Sequence, residues 1–241
     1  MLKKKYKAIL FDMDGTLVPM DTDAFTNGYF VDLYKKIAHL GLDKDRFVKA
    51  IWSGVKAMVM NDGSANNEAA FWKKFNEITG LDIDTVNNLC LDFYANEFKD
   101  AVRFTSPNPL AAKAVSLARK KADKVVLATN PIFPLVGQIT RMNWVSLKPE
   151  DFDLVTSYES DSYCKPNPVY FEKIFERIGV NAGDCLMIGN DENEDMYAGS
   201  LAGMDCYLVR DCIIESKDHP WNGESGSFED LIDILDKLDE Y

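Results

Sequence analysis

Lys7–Leu17, KAILFDMDGTL, decides how the rest of the chain is read. Ala8, Ile9, Leu10 and Phe11 form a short unbroken apolar run, the pattern of a strand buried on both faces, and it stops abruptly at Asp12. Two carboxylates, Asp12 and Asp14, therefore stand where a buried strand surfaces. Gly15 allows a sharp turn and a close approach to a ligand, and Thr16 adds a hydroxyl at the same place. In an open α/β sheet ligands bind just outside the carboxyl ends of the strands, so this is where chemistry is expected. The plain alternative is an acidic, solvated turn.

Further apolar runs of the same kind follow at Lys124–Asn130 (KVVLATN), Asp153–Tyr158, Cys185–Asn190 (CLMIGN) and Cys206–Arg210. Helical patterns separate them at LAAKAVSLARKKA, with Asn108 as its cap and Pro109 in its first turn, at Pro134–Trp144, Pro168–Ile178 and Asp195–Leu201, with a last one at Phe228–Leu238. Strands alternating with helices predict a doubly wound α/β fold, with a mostly parallel sheet of five or more strands covered on both faces. Lys217–Ser227, which holds Pro220, Gly223 and Gly226, reads as an irregular surface loop.

Between the first strand and the others the pattern is helical only. Phe25, Tyr29, Leu33 and Ile37 recur every fourth residue within Asp21–Leu42, with Thr22 or Asp23 as a cap and Gly41 as the stop. Asp43–Met60, Asn66–Thr79 and Asp82–Phe98 read as three more helices, separated by Asn61-Asp62-Gly63-Ser64 and by Gly80. A helical unit over 19–103, inserted into a core of 1–18 and 104–241, is the expected organisation. Its aromatic residues Tyr29, Trp52, Phe71 and Trp72, and Met58 and Met60, either line a pocket or form the core of the helical unit.

Composition narrows the function. Across 241 residues, 27 basic side chains oppose 39 acidic ones, a net charge of −12. That balance argues against nucleic acid and against anionic membrane surfaces, both of which need Lys and Arg. No apolar run reaches the roughly 18 residues of a membrane helix, and too few apolar residues precede Asp12 for a secretory signal. A cytoplasmic protein is expected. The five cysteines lack CxxC spacing and are expected as reduced thiols. Cys164 adjoins Lys165, which could lower its pKa, yet no histidine lies near it to act as a base.

Other candidate residues also stand at strand ends or helix starts. The Thr129 hydroxyl and the backbone beside Asn130 could hold a phosphate oxygen, or simply complete a turn. Lys165 lies in CKPNPVYF, where Pro166 keeps the preceding residue extended and Asn167-Pro168 starts a helix, so a point charge is delivered by a rigid element. In IGNDENEDMYAGSLAGM, Asn190, Asp191, Glu192, Glu194 and Asp195 offer hard oxygen donors suited to Mg²⁺, or else form a solvated acidic helix start.

FDMDGTL resembles the first motif of the haloacid dehalogenase-like hydrolase superfamily, and Thr129, Lys165-Pro166 and the acidic stretch resemble its second, third and fourth. The resemblance covers residues 6–18 and about 104–240. It implies a Rossmann-like core with a C1-type helical cap, and a Mg²⁺-dependent phosphatase that acts on a small phosphorylated metabolite. Asp12 would be the nucleophile and Asp14 the general acid and base. Thr129, Asn130 and Lys165 would hold the phosphoryl group, and Asp12, Asp14 through its carbonyl and Asp191 as the principal ligand would bind the metal, with Asp195 in a supporting role. One departure stands out: the family commonly has aspartate directly after the glycine, where this chain has Asn190.

Dehalogenases of the family lack the second aspartate, so Asp14 favours phosphoryl chemistry. A sugar phosphomutase of the β-phosphoglucomutase type keeps both aspartates and is the enzymatic alternative. A silent member that binds a phosphorylated ligand or a protein through its cap is the alternative from another class. The substrate and the oligomeric state stay open.

Overall fold

The computed structural model describes residues 2–241. In chain order, β1 is Ala8–Phe11, followed by α1 Thr22–Ile37, α2 Lys44–Val59, α3 Asn67–Thr79 and α4 Ile83–Asn96. Then come α5 Ala111–Lys121, β2 Lys124–Leu127, α6 Leu135–Trp144, β3 Leu154–Val155 and α7 Val169–Ile178. The chain finishes with β4 Cys185–Gly189, α8 Ala198–Leu201, β5 Asp205–Val209, β6 Ser225–Gly226 and α9 Phe228–Lys237. All strand pairs are parallel, in the order β3-β2-β1-β4-β5-β6.

Because successive strand residues point to opposite faces, the central strands divide their side chains between two cores. Ile9, Phe11, Val125, Leu127 and Ile188 pack with α5 and α9, in an apolar cluster that continues into α1–α4. Ala8, Leu10, Val126, Cys185 and Met187 pack on the other face, against α7 and the residues around Met196 and Ala198. β1 lies between β2 and β4, which is the point where strand order reverses. Phe11 is level with Leu127 and Ile188. Asp12, Ala128-Thr129 and Gly189-Asn190 therefore leave the sheet side by side, at the topological switch point where α/β folds bind ligands.

Several boundaries differ from the sequence-based expectation. Ser225–Gly226, inside the stretch read as a loop, is a sixth strand beside β5; two residues without an apolar run carry no strand signal. The third strand shrinks to Leu154–Val155. Asp21, rather than Thr22 or Asp23, caps α1 by accepting from the Ala24 N–H at 2.8 Å. Asn108 does not cap α5; its side chain accepts from Leu110 N–H in a turn one residue ahead of the helix. The helix expected from Asp195 begins earlier, as a π-wound turn at Glu192–Tyr197, because the Asp191 side chain caps two amides there and its carbonyl accepts from both Asp195 and Met196. Among the described residues no helix is long and apolar enough to cross a membrane.

Candidate active site

Lys165 is the hinge of the site. It is 1% exposed, and its Nζ donates to Asp12 Oδ1 at 2.7 Å and to Asp195 Oδ1 at 2.6 Å. Burial alone would push this lysine toward the neutral form, but the charges of Asp12 and Asp195 outweigh it and hold its pKa well above the ordinary value. Lys165 follows the buried Cys164, and Asn167 begins the turn into α7, whose Tyr170, Phe171 and Ile174 anchor it to the sheet. The Lys165-Pro166 peptide is cis.

Both carboxylate oxygens of Asp195 are engaged within the chain. Its Oδ1 takes Lys165, and its Oδ2 takes the backbone N–H groups of Asn190 and Asp191, each at 3.1 Å. The side chain is a strut that fixes the end of β4. Gly189 makes room for it, since a Cβ there would lie 2.2 Å from Asp195 Oδ2.

Asn190 is also accounted for. Thr16 donates to its Oδ1 at 3.0 Å, and its Nδ2 donates to the Cys212 carbonyl at 2.6 Å. An amide can do both, whereas an ionised aspartate has no donor for the carbonyl. The asparagine thus ties the loop after β1 to the segment after β5. Gly15, at φ +84°, passes so close that a Cβ would lie 2.2 Å from Asn190 Nδ2.

Asp14 stands across from Asp12, and its Oδ2 is ion-paired with Arg141 Nη1 while its Oδ1 is buried without a partner. Burial raises its pKa, the Arg141 charge opposes that, and the Asp12 charge adds to it. Arg141 was not singled out from sequence. In α6 it reads as a solvated residue, yet it is 0% exposed. The available signal was Gln138 three residues earlier on the same helix face, which is buried as well.

Thr129 is buried at the end of β2, and its carbonyl accepts from Thr156 Oγ1 at 2.7 Å and from the Tyr170 hydroxyl at 2.9 Å. Asn130 donates to Glu194 Oε2 at 2.9 Å, while its Oδ1 is buried without a partner. Burial pushes the Glu194 carboxyl up to about 8, and raises Asp191 as well, against the two amides that Asp191 caps. Burial, then Glu194, push the Cys164 thiol up to about 12, which outweighs the lowering by Lys165. All five cysteines are free.

The donor set can be tested for a divalent cation. Among the described residues no three or more Asp, Glu, His or Cys side chains converge as a cage. Mg²⁺ asks for less, usually one or two carboxylates plus water. Lys165 occupies only Oδ1 of Asp12, and the capped amides occupy only Oδ1 of Asp191, which leaves an oxygen on each. Four aspartates (Asp12, Asp14, Asp191, Asp195), with the Glu194 carboxyl beside them, gather around two buried cations, Lys165 and Arg141. Hard oxygens and unbalanced negative charge fit Mg²⁺.

Residues 6–203 match the family described as haloacid dehalogenase-like hydrolase. The pyrimidine 5'-nucleotidase PynA of Streptococcus pneumoniae is 28% identical over 241 residues, spanning 96% of this chain and 96% of that protein. A phosphoglycolate phosphatase of Aquifex aeolicus is 26% identical over 200 residues, spanning 82% of this chain and 81% of that protein. Among solved structures, a HAD phosphatase from Thermococcus onnurineus shares the fold with a TM-score of 0.61 at 20% identity, covering 98% of this chain and 100% of that one.

Proposed function

This chain belongs to the haloacid dehalogenase-like hydrolase family, and we propose that within it the protein is a Mg²⁺-dependent phosphatase that hydrolyses a small phosphorylated metabolite through an aspartyl phosphate on Asp12. The observation that carries this reading is the pair of carboxylates at the end of β1: Asp12, oriented by Lys165 through Oδ1, and Asp14 beside it with one oxygen unpartnered. Residues 1–18 and 104–241 act as the catalytic core and 19–103 as the cap.

Asp12 Oδ2 attacks phosphorus, and the bond from phosphorus to the leaving oxygen breaks. Asp14 protonates that oxygen, then takes a proton from the water that releases phosphate and restores Asp12. Lys165 and the Thr129 hydroxyl neutralise the transferring oxygens. Asp12, the Asp14 carbonyl and Asp191 would hold Mg²⁺, which when bound would supply positive charge to the phosphoryl oxygens.

The leaving group is chosen where α1–α4 meet the core. There Tyr29, Trp72, Tyr94 and Tyr158 wall a cavity of about 40 Å³ with Ile132 and Pro134. Aromatic walls favour a ring-bearing leaving group over a two-carbon acid, in line with the nucleotidase among the relatives.

The test is inorganic phosphate release from a panel that includes pyrimidine nucleoside monophosphates, 2-phosphoglycolate and p-nitrophenyl phosphate, with Mg²⁺ or EDTA, for wild type and Asp12→Asn. Mg²⁺-dependent release lost in the variant supports the reading. Phosphate that moves between hydroxyls of one sugar without release would replace it with the phosphomutase, and ligand-induced thermal stabilisation without turnover would replace it with a binding protein.

A further inference from the structure

A fully buried arginine is a costly choice for the core face of a helix. Taking its charge out of water costs several kcal/mol even in a good ion pair, and a Met or Leu would fill the space in α6 without that cost. Arg141 is nevertheless held at both terminal nitrogens and on one face, with only its Nε buried and unpartnered. Its Nη1 donates to Asp14 Oδ2, its Nη2 to Gln138 Oε1, and its guanidinium lies over the Phe133 ring at 4.0 Å. Gln138 is itself anchored, donating through Nε2 to the Thr156 carbonyl at 3.2 Å, and Thr156 is bonded to the Thr129 carbonyl. A rigid line therefore runs from the end of β2 through Thr156, Gln138 and Arg141 to Asp14.

What this line leaves open is informative. Asp14 Oδ1 is shielded from solvent and has no partner, while Oδ2 is held by Arg141. Resting on the phosphatase reading above, we propose that Arg141 is the positioning residue for Asp14: it clamps Oδ2, so that Oδ1 alone is presented to the leaving oxygen. In the first step the electron pair of the breaking P–O bond goes to the leaving oxygen, which takes its proton from Oδ1. In the second, water bonds to phosphorus, gives its proton back to Oδ1, and the electron pair of the Asp12–phosphorus bond returns to Asp12. Arginine suits the clamp because it keeps its charge throughout and has no proton to exchange.

The test exploits leaving groups. p-Nitrophenolate departs without a proton, whereas an alkoxide needs one, so a displaced Asp14 hurts alkyl phosphates selectively. Arg141→Lys and Gln138→Leu are compared with wild type on p-nitrophenyl phosphate and on the alkyl phosphate that wild type turns over fastest. Melting curves are recorded for each variant. Because the second step is the same for every leaving group, the readout is kcat/KM, which reports only the first: a mispositioned acid is expected to lower it about 100-fold on the alkyl phosphate and less than about tenfold on the aryl phosphate. Equal loss of kcat/KM on both substrates would overturn the assignment and leave Arg141 as a structural group. A rise in KM confined to substrates with a second anionic group would also overturn it, by making Arg141 a substrate ligand. No release by wild type from either substrate would remove the phosphatase reading and this inference together, a result distinct from the other two.

Discussion

Replacing Lys165 by Met would strip the cation that Asp12 and Asp195 share. Lys165, Asp12 and Asp195 are 1%, 6% and 1% exposed, so water cannot take over the lost role. At contacts of 2.7 and 2.6 Å, and an effective dielectric of about 20, each attraction is roughly 6 kcal/mol before desolvation is subtracted. Most of that is offset by the cost of burying the charges, and breaking such a pair from one side typically leaves a net loss of about 3–5 kcal/mol. For a chain of this length that corresponds to a melting temperature lower by roughly 6–20 °C. The assay is thermal unfolding in EDTA at neutral pH, followed by circular dichroism. Adding Asp195→Asn in the Lys165→Met background removes one of the two stranded charges and should recover part of the loss, so the two substitutions are not additive. A fall of less than about 2 °C for Lys165→Met, with a double variant equal to the sum of the singles, would refute the claim that Lys165 holds the site together.

Three further outcomes follow from named contacts. Asn190→Asp, which restores the residue common in the family, should destabilise by about 1–3 kcal/mol in EDTA, because a carboxylate would then face the Cys212 carbonyl; urea unfolding checks it. The buried Glu194 carboxyl titrates near 8 in the folded chain against 4.5 ordinarily, so the folded state binds the extra proton and stability falls as pH rises from about 4.5 to about 8. Glu194→Gln should flatten that slope in unfolding measured in EDTA; an unchanged slope would show that Glu194 is not its source. Native protein at pH 8 should present at most one thiol to Ellman's reagent, the half-buried Cys212, whereas all five should react in denaturant. Rapid labelling of Cys164 would contradict its burial.

The sequence carried the fold because its strands are short, fully apolar runs that end in polar residues, a pattern local enough to read from Ala8–Phe11, Lys124–Leu127 and Cys185–Gly189. It brought Asp12, Thr129, Lys165 and Asp191 forward for the same reason, since each follows a strand or starts a helix. Arg141 escaped because a lone arginine in an amphipathic helix normally faces water, and only the distant Asp14 explains its burial. Asn190 looked like a missing ligand because its two partners, Thr16 and the Cys212 carbonyl, lie on other segments. The engagement of both Asp195 oxygens was not legible either, because their partners are a distant lysine and two backbone amides. Ser225–Gly226 has no side-chain pattern at all; its pairing is set by the neighbouring β5.

The most direct test of the account is to trap the covalent intermediate. Enzyme turning over p-nitrophenyl phosphate is quenched with borohydride, which reduces an acyl phosphate to the alcohol, and the digest is read by mass spectrometry. Homoserine is expected in place of Asp12, dependent on substrate and absent from the Asp12→Asn variant. Continued phosphate release with Asp12 unmodified, and with Asp12→Asn still active, would contradict it.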